Sequence, residues 1–420
     1  MLSQQKRSQL SSDAIAYCTT EFDQFYGQMQ RSHFGSAFKL FNTVSYATCL
    51  HYFHLMFDYV AQTLQSQHID HCVFFNVPHL GYDTLLASVC HHLGLSVTIL
   101  SQSSTIPNSM FSMRSFSQYG HLGDSVSVQK QFQKVTLPQK QVDTPFYMRE
   151  ISCKTKTPNF RVRCQDYADL LLGLFVSRAV PVPKKHDWLG FFRRAQYLRT
   201  FFSLHRIRFS RLFNQGALDY FESLIVRESL QVDFKKPYIY FALHLQPEAT
   251  TDPLGGVYQD QALALEHLSL LLPKDHLIYV KENPKQTDYQ RGKLFFDRLS
   301  RLSSVRWVPS QTNTFDLIQH SKCVATVTGT VGWEALLWHK PVVTFGYAWY
   351  NTFPGVFRFH LDLNFDSVFS YEISHTAIER YYHQFIKHLP EGLVHMLYLQ
   401  LLEPGSFCLT KNAQRVASYL

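Results

Sequence analysis

Four stretches of the chain set polar and charged side chains where apolar runs end. The richest is VATVTGTVGWEALLWHKPVVTFG, residues 324–346. Thr326, Thr328, Gly329, Thr330 and Gly332 make a turn of small residues, and Glu334 follows on an apolar segment with helical spacing. N–H groups at a helix start, backed by the helix dipole, attract an anion. The threonine hydroxyls add donors for phosphate oxygens, and the glycines leave the backbone open to close approach. Glu334 is a bidentate acceptor suited to a ribose diol. The plainer alternative is a tight turn in which Glu334 favours the helix dipole.

The second stretch, YVKENP (279–284), ends an apolar run in Lys281, Glu282 and Asn283 before a proline-fixed turn. The lysine suits a phosphate, and Glu282 or Asn283 suits a base or ribose; a surface ion pair is the alternative. In LHLQPEATTDPLGG (243–256), His244, Gln246, Glu248 and Asp252 crowd another strand end. A carboxylate and an imidazole there are the groups of a nucleophile, general acid or general base. An ordinary polar loop is the alternative. NVPHLGYD (76–83) offers His79 and Asp83 on the side where an acceptor would bind, although Asp83 serves equally well as a helix cap. HIDHC (68–72) and His91-His92 lack ligand spacing, so no metal is expected.

These strand ends need a framework. A helix over about 44–66, strand 71–78, helix 84–94 and strand 95–103 predict a strand–helix–strand unit of a parallel sheet. Residues 104–165 read as loop with short strands, a cover over a site, and 166–230 as mostly helical with a break at 180–185. From 238 the alternation is cleaner. Strands at 238–244, 276–284, 305–309, 323–329 and 340–346 alternate with helices at 259–272, 287–302, 313–321 and 330–339. Asn313 or Thr314 caps the third of those helices. Five such strands give an open, doubly wound α/β sheet. The expected domains are 1–232, a Rossmann-like acceptor-side domain with a helical insertion; 233–375, a Rossmann-like nucleotide-sugar domain; and C-terminal helices over 376–420. Two such domains facing across a cleft place the site at the carboxyl ends of their strands.

Composition bounds the function. The 420 residues exceed what one core usually supports, and 45% hydrophobic with 17% charged content is that of a folded globular protein. Forty Lys and Arg against 32 Asp and Glu give a net charge of +8, which favours anionic partners. Part of that excess lies in the basic aromatic segment 186–213, suited to an anionic membrane surface or to a solvated helix face. No recognition motif points to nucleic acid. Eight scattered cysteines without a CxxC read as reduced thiols of a cytoplasmic protein. No apolar run approaches a membrane span, so a peripheral place at the inner membrane is the most that is expected.

Across FALHLQPEATTDPLGG, VKENP and VATVTGTVGWEALLWHKPVVTFGYAWY, the sequence resembles bacterial capsule and surface-polysaccharide biosynthesis proteins, glycosyltransferases of the two-domain GT-B arrangement. The likeness covers the second domain, with weak support from NVPHLGYD in the first. It implies metal-independent transfer from a nucleotide-sugar donor, CMP-Kdo-like by preference, to a glycan or lipid-linked glycan of a capsule or lipopolysaccharide. No cofactor beyond the donor is implied. Lys281-Glu282-Asn283-Pro284 stands where CMP-Kdo and CMP-sialic-acid enzymes carry Lys-x-His-Pro, and the Thr326–Thr330 turn where they carry a hydroxyl-rich turn. Glu248 or Asp252 takes the position of the nucleophile in retaining Kdo transferases. Glu282-Asn283 is also similar to the nucleotide region of UDP-GlcNAc 2-epimerases. A UDP-sugar hexosyltransferase, an epimerase and a non-catalytic glycan-binding scaffold are the alternatives.

Overall fold

The computed structural model of the chain describes residues 46–79, 81–121, 223, 225, 232–246, 248, 250–284, 286, 291, 293–309, 312–402 and 405–420. The basic aromatic segment 186–213, most of the expected cover over 104–165 and nearly all of the helical stretch 166–230 lie outside them. Two sheets organise the rest.

The first sheet has three strands: β1 (His71–Phe74), β2 (Ser96–Gln102) and β3 (Met110–Met113). β1 and β2 run parallel, bridged by α2 (Gly81–His92), while β3 returns antiparallel. β3 is one short strand inside the stretch read as loop with short strands. Helix α1 (Tyr46–Ser66) packs on α2 through Phe53, Phe57, Leu85 and Val89, all buried. Its spacing of apolar residues leaves one buried stripe, as a surface helix requires.

The second sheet has six parallel strands, β4 (Tyr238–Ala242), β5 (Leu277–Lys281), β6 (Val305–Val308), β7 (Cys323–Thr326), β8 (Val342–Thr344) and β9 (Val356–Arg358), in the order β6-β5-β4-β7-β8-β9. β9 is a sixth strand beyond the five expected, added at the edge beside β8. Along β4, Tyr238 and Tyr240 face one side and Ile239 and Phe241 the other, all buried. That two-sided apolar pattern is what a central parallel strand needs.

Helices cover both faces. On the Tyr240 side lie α6 (Thr314–His320) and α7 (Thr330–Leu337), through Leu317, Ala335 and Leu336. On the Phe241 side lie α4 (Gln261–Leu271) and α5 (Lys293–Ser300), through Leu265, Leu268, Phe296 and Leu299. The doubly wound expectation is met. Capping fixes the helix starts: Asp260 accepts from Ala262 N and Leu263 N, and Asn313 from Phe315 N at 2.8 Å. Of the two residues proposed to cap α6, Asn313 does so, and Thr314 takes another role below.

The order reverses between β4 and β7, the place where ligands bind in open parallel sheets. The C-terminal part ties the two sheets together. Helix α8 (Phe365–Phe369) follows β9, and helix α9 (His375–His388) packs Tyr382 and Phe385 against Trp333, Trp349 and Phe353 beside the second sheet. The chain then crosses back. Met110 N donates to Pro390 O at 2.9 Å, Gly392 N to Asn108 O at 3.0 Å, and Val394 N to Gln102 Oε1 at 2.9 Å. Asn412 holds both backbone groups of Leu393, and Val416 of α10 (Leu409–Ala417) packs with Leu100 and Met110. Among the described residues no helix is long and apolar enough to cross a membrane.

Candidate functional site

The carboxyl ends of β4 and β7 meet at one hydrogen-bonded contact. His244, two residues beyond β4, brings Nε2 to 2.7 Å from Thr326 Oγ1, and Val327 N donates to the same nitrogen at 3.2 Å. Gly329 N donates to Thr326 Oγ1 at 3.2 Å. Burial, and then the charge of Arg291, push the His244 imidazole down to about 3. The ring is therefore neutral at ordinary pH. It sits where an acid–base group was expected, and its geometry is that of a strut joining the two strand ends.

Behind it lies a buried polar network centred on Arg291, which is 1% exposed. Its Nε donates to Glu282 Oε2 at 3.0 Å, Nη1 to Gln246 Oε1 at 2.8 Å and Nη2 to His244 O at 2.9 Å. Gln261 brackets the His244 backbone, accepting from its N at 2.7 Å and donating to its O at 3.2 Å. Gln246 passes the network on to Asp252 Oδ1 at 3.2 Å. Glu282, expected beside a base or ribose, is turned inward instead: its other oxygen accepts from Asn283 N. Burial raises its carboxyl and Arg291 opposes that rise. Asn283 is half-buried on the same turn. Neither Arg291 nor Gln261 was singled out from the sequence, where a lone arginine in YQRGK looks like surface.

The two acids of the 243–256 loop separate by burial. Asp252 is buried at the start of α3 (Asp252–Gly255) and engaged by Gln246, whereas Glu248 is exposed. Glu248 lies in the electrostatic range of Tyr398, whose phenol is raised by burial and by that carboxylate.

The Thr–Gly turn is built from within. Thr326 is fully buried, and Thr328 Oγ1 donates to Thr250 O at 2.7 Å, so both hydroxyls hold the protein's own groups. A Cβ at Gly329 would lie 2.8 Å from His244 Cε1, and one at Gly332 would overlap the Tyr350 hydroxyl, which itself donates to Gly329 O. The glycines thus admit neighbours of the same chain. Gly332→Ala is expected to cost about 1–3 kcal/mol by overpacking, read as a fall in melting temperature. Unchanged melting would show that Tyr350 yields freely.

Helix α7 has Gly329 at its N-cap with no side-chain cap, and Gly332 N donates to Gly329 O at 3.1 Å. Thr330 stands at its first position. One turn in, Glu334 is 7% exposed, and its carboxylate accepts no hydrogen bond from the described residues. Burial lifts it to about 7, with Lys281 opposing. Lys281, at the end of β5, donates Nζ to Thr312 O at 2.5 Å and Thr314 Oγ1 at 2.9 Å. Burial lowers it to about 8, against the pull of Glu334. A cation, a carboxylate with no donor among the described residues and a helix start without a side-chain cap therefore share one crevice at the strand switch point.

His79 and Asp83 follow β1 of the other sheet. His79 pairs Nδ1 with Val77 O at 2.7 Å, and Asp83 lies in the first turn of α2. No group of three or more His, Cys, Asp or Glu side chains among the described residues is arranged to hold a metal. Cys72, Cys90, Cys323 and Cys408 are free thiols.

Residues 251–359, which hold the crevice, α7 and β7 to β9, match the family described as capsule polysaccharide biosynthesis protein. No curated protein sequence matches the chain. Among solved structures, the β-Kdo 2,7 transferase of Thermosulfurimonas dismutans KpsC is 12% identical, with 79% of each chain covered and a TM-score of 0.31. The UDP-GlcNAc 2-epimerase of Methanocaldococcus jannaschii is 11% identical, covering 80% of this chain and 81% of that one, with a TM-score of 0.26. Such identities and TM-scores leave both as likenesses and nothing more.

Proposed function

From a second domain whose residues 251–359 match a capsule polysaccharide biosynthesis protein, we propose that the chain is a glycosyltransferase. It takes a sugar from a nucleotide donor, a CMP-activated acid of the Kdo kind, and adds it to a growing surface polysaccharide at the cytoplasmic face. The observation that carries this reading is Glu334. Burial penalises its charge, no described residue donates to its carboxylate, and an arriving pair of hydroxyls favours the ionised form. A ribose diol supplies that pair, beside a helix start suited to the phosphate.

In this mechanism the α7 N-terminus and Lys281 stabilise the departing nucleotide phosphate, with Thr330 at the helix entry. Asn283 flanks the nucleoside. Glu248, the exposed carboxylate, is the nucleophile or base toward the sugar, and Asp252 anchors its loop through Gln246. His244, neutral and bonded to Thr326, fixes the two strand ends. His79 and Asp83 stand on the acceptor side.

Thermal shift with CMP, CDP, UMP, UDP and GDP tests the reading. CMP is expected to stabilise the wild type and Glu248→Gln, and the shift is expected to vanish in Glu334→Gln. Donor turnover is expected to disappear in Glu248→Gln alone of these binding-competent forms. A UDP shift instead would move the donor to a UDP-sugar and the enzyme toward a hexosyltransferase or epimerase. No shift from any nucleotide with folded protein would sink the nucleotide site and leave a glycan-binding scaffold.

A further inference from the structure

The carboxyl edge of the second sheet carries a further side chain built to meet an anion. Thr326 of β7 pairs in register with Thr344 of β8, and Thr344 with Arg358 of β9. Residues in register on neighbouring strands project to the same face, so these three form one row. With strands about 4.8 Å apart, the Arg358 backbone stands roughly 10 Å from that of Thr326. Gly329 N at the start of α7 donates to Thr326 Oγ1, so the row runs from that helix start to Arg358, with Thr326 and Thr344 buried and Arg358 exposed.

Arg358 is exposed and forms no ion pair with any described residue. It is nevertheless held in place. Its guanidinium carbon lies 4.1 Å over the centre of the Tyr347 ring. Tyr347 N donates to Leu254 O at 2.8 Å, and Gly346 N to Val327 O at 2.8 Å. The platform is thus joined to the loop that carries Glu248 and Asp252, and to the Thr–Gly turn through Thr328 and Thr250. Stacking engages the guanidinium face and leaves its in-plane N–H fork free for a two-oxygen acceptor.

We propose that Arg358 binds the carboxylate of the transferred sugar and so selects acidic sugars, an inference that rests on the nucleotide-sugar reading of the adjoining crevice. The fork geometry matches a carboxylate bidentately, and the ring beneath it fixes the plane before the ligand arrives. Neutral sugars gain nothing from it.

The test is calorimetric titration of wild type, Arg358→Gln and Arg358→Lys with two ligand pairs, CMP against CMP-Kdo and UDP-glucose against UDP-glucuronate. In whichever pair the wild type binds, the carboxylate-bearing member is expected to bind tighter by roughly tenfold or more. Arg358→Gln is expected to abolish that gain while leaving the affinity for the member without a carboxylate, and the melting temperature, unchanged; Arg358→Lys is expected to keep part of it. A gain that survives in Arg358→Gln, an equal loss for both members, or no gain in the wild type would overturn the assignment and leave the nucleotide site standing. If Arg358→Gln alters only the KM of the acceptor, the carboxylate belongs to the acceptor and the assignment to the transferred sugar fails. Failure of the wild type to bind any of the four would overturn the nucleotide-sugar reading and this assignment together.

Discussion

Arg291→Met is expected to cost the chain about 3–5 kcal/mol of stability, the usual result of removing one partner from a buried ion pair. The substitution strands Glu282, 2% exposed, without its cation, and leaves Gln246 Oε1 and the His244 carbonyl with Gln261 Nε2 as their remaining donor. Lysine is no substitute, because a single ammonium cannot meet three acceptors laid out for a planar fork. The penalty should depend on pH in a definite direction. Burial already raises the Glu282 carboxyl, and loss of Arg291 raises it further. A group whose folded value lies above its unfolded one costs nothing while both states are protonated, and costs progressively more as pH rises. Urea unfolding at low pH should therefore show a smaller loss than at pH 8, and adding Glu282→Gln should restore much of it. A loss below about 1 kcal/mol at pH 8 would show that the network does not hold the strand ends.

The second large effect concerns Glu334. Its carboxyl stands at about 7 in the folded chain against an ordinary 4.5. Between those two values the unfolded chain ionises while the folded one stays protonated, so the group subtracts stability as pH rises through that window. The cost is absent below it and complete above about 7. A shift of this size corresponds to about 3 kcal/mol. Glu334→Gln should therefore stabilise the unliganded protein above pH 7 and leave it unchanged near pH 4. Part of the gain is lost again, because Lys281 forfeits the charge that supports it. The same substitution should weaken nucleotide binding roughly tenfold or more. Hydroxyl donors favour the ionised carboxylate, so binding to the wild type near pH 6 should release protons, detectable as a buffer-dependent heat of titration. A Glu334→Gln protein that is no more stable at pH 8 would mean that the carboxylate finds a compensating donor within the fold.

Much of the second sheet was legible in advance, and for physical reasons. Continuous apolar runs such as YIYFALH and CVATVTG suit strands buried on both faces, and Pro and Gly mark where they stop. The edge strand β9 escaped notice because VFR is short and half-exposed, a pattern shared with loops. In the first sheet, β3 is only four residues long. At the site, the positions of His244, Lys281 and Thr326 at strand ends, and of Glu334 on the helix after β7, followed from the pattern of alternating strands and helices. What each side chain does there did not. Sequence spacing shows that Glu282 sits at a strand end, but not that Arg291, nine residues away, folds back to claim it. Nor does it show that Gly329 and Gly332 make room for His244 and Tyr350. Those facts depend on contacts between segments brought together only by the sheet.

The return of the chain to the first sheet bears on how the two halves can move. The outward passage lies between His121 and Val232, and the way back runs through Leu389 to Val394, so the halves are connected twice. A single tether lets two bodies swivel in any direction. Here the return segment is hydrogen-bonded along β3 and flanked by Phe111, Trp349 and Phe385, and Phe74, Val77 and Ile99 beside the first sheet share one buried core with Tyr238, Tyr240 and Trp333 of the second, so swivelling would break packed contacts. A change of angle between the sheets therefore has to repack that shared core, which ties the strand ends of one sheet to those of the other.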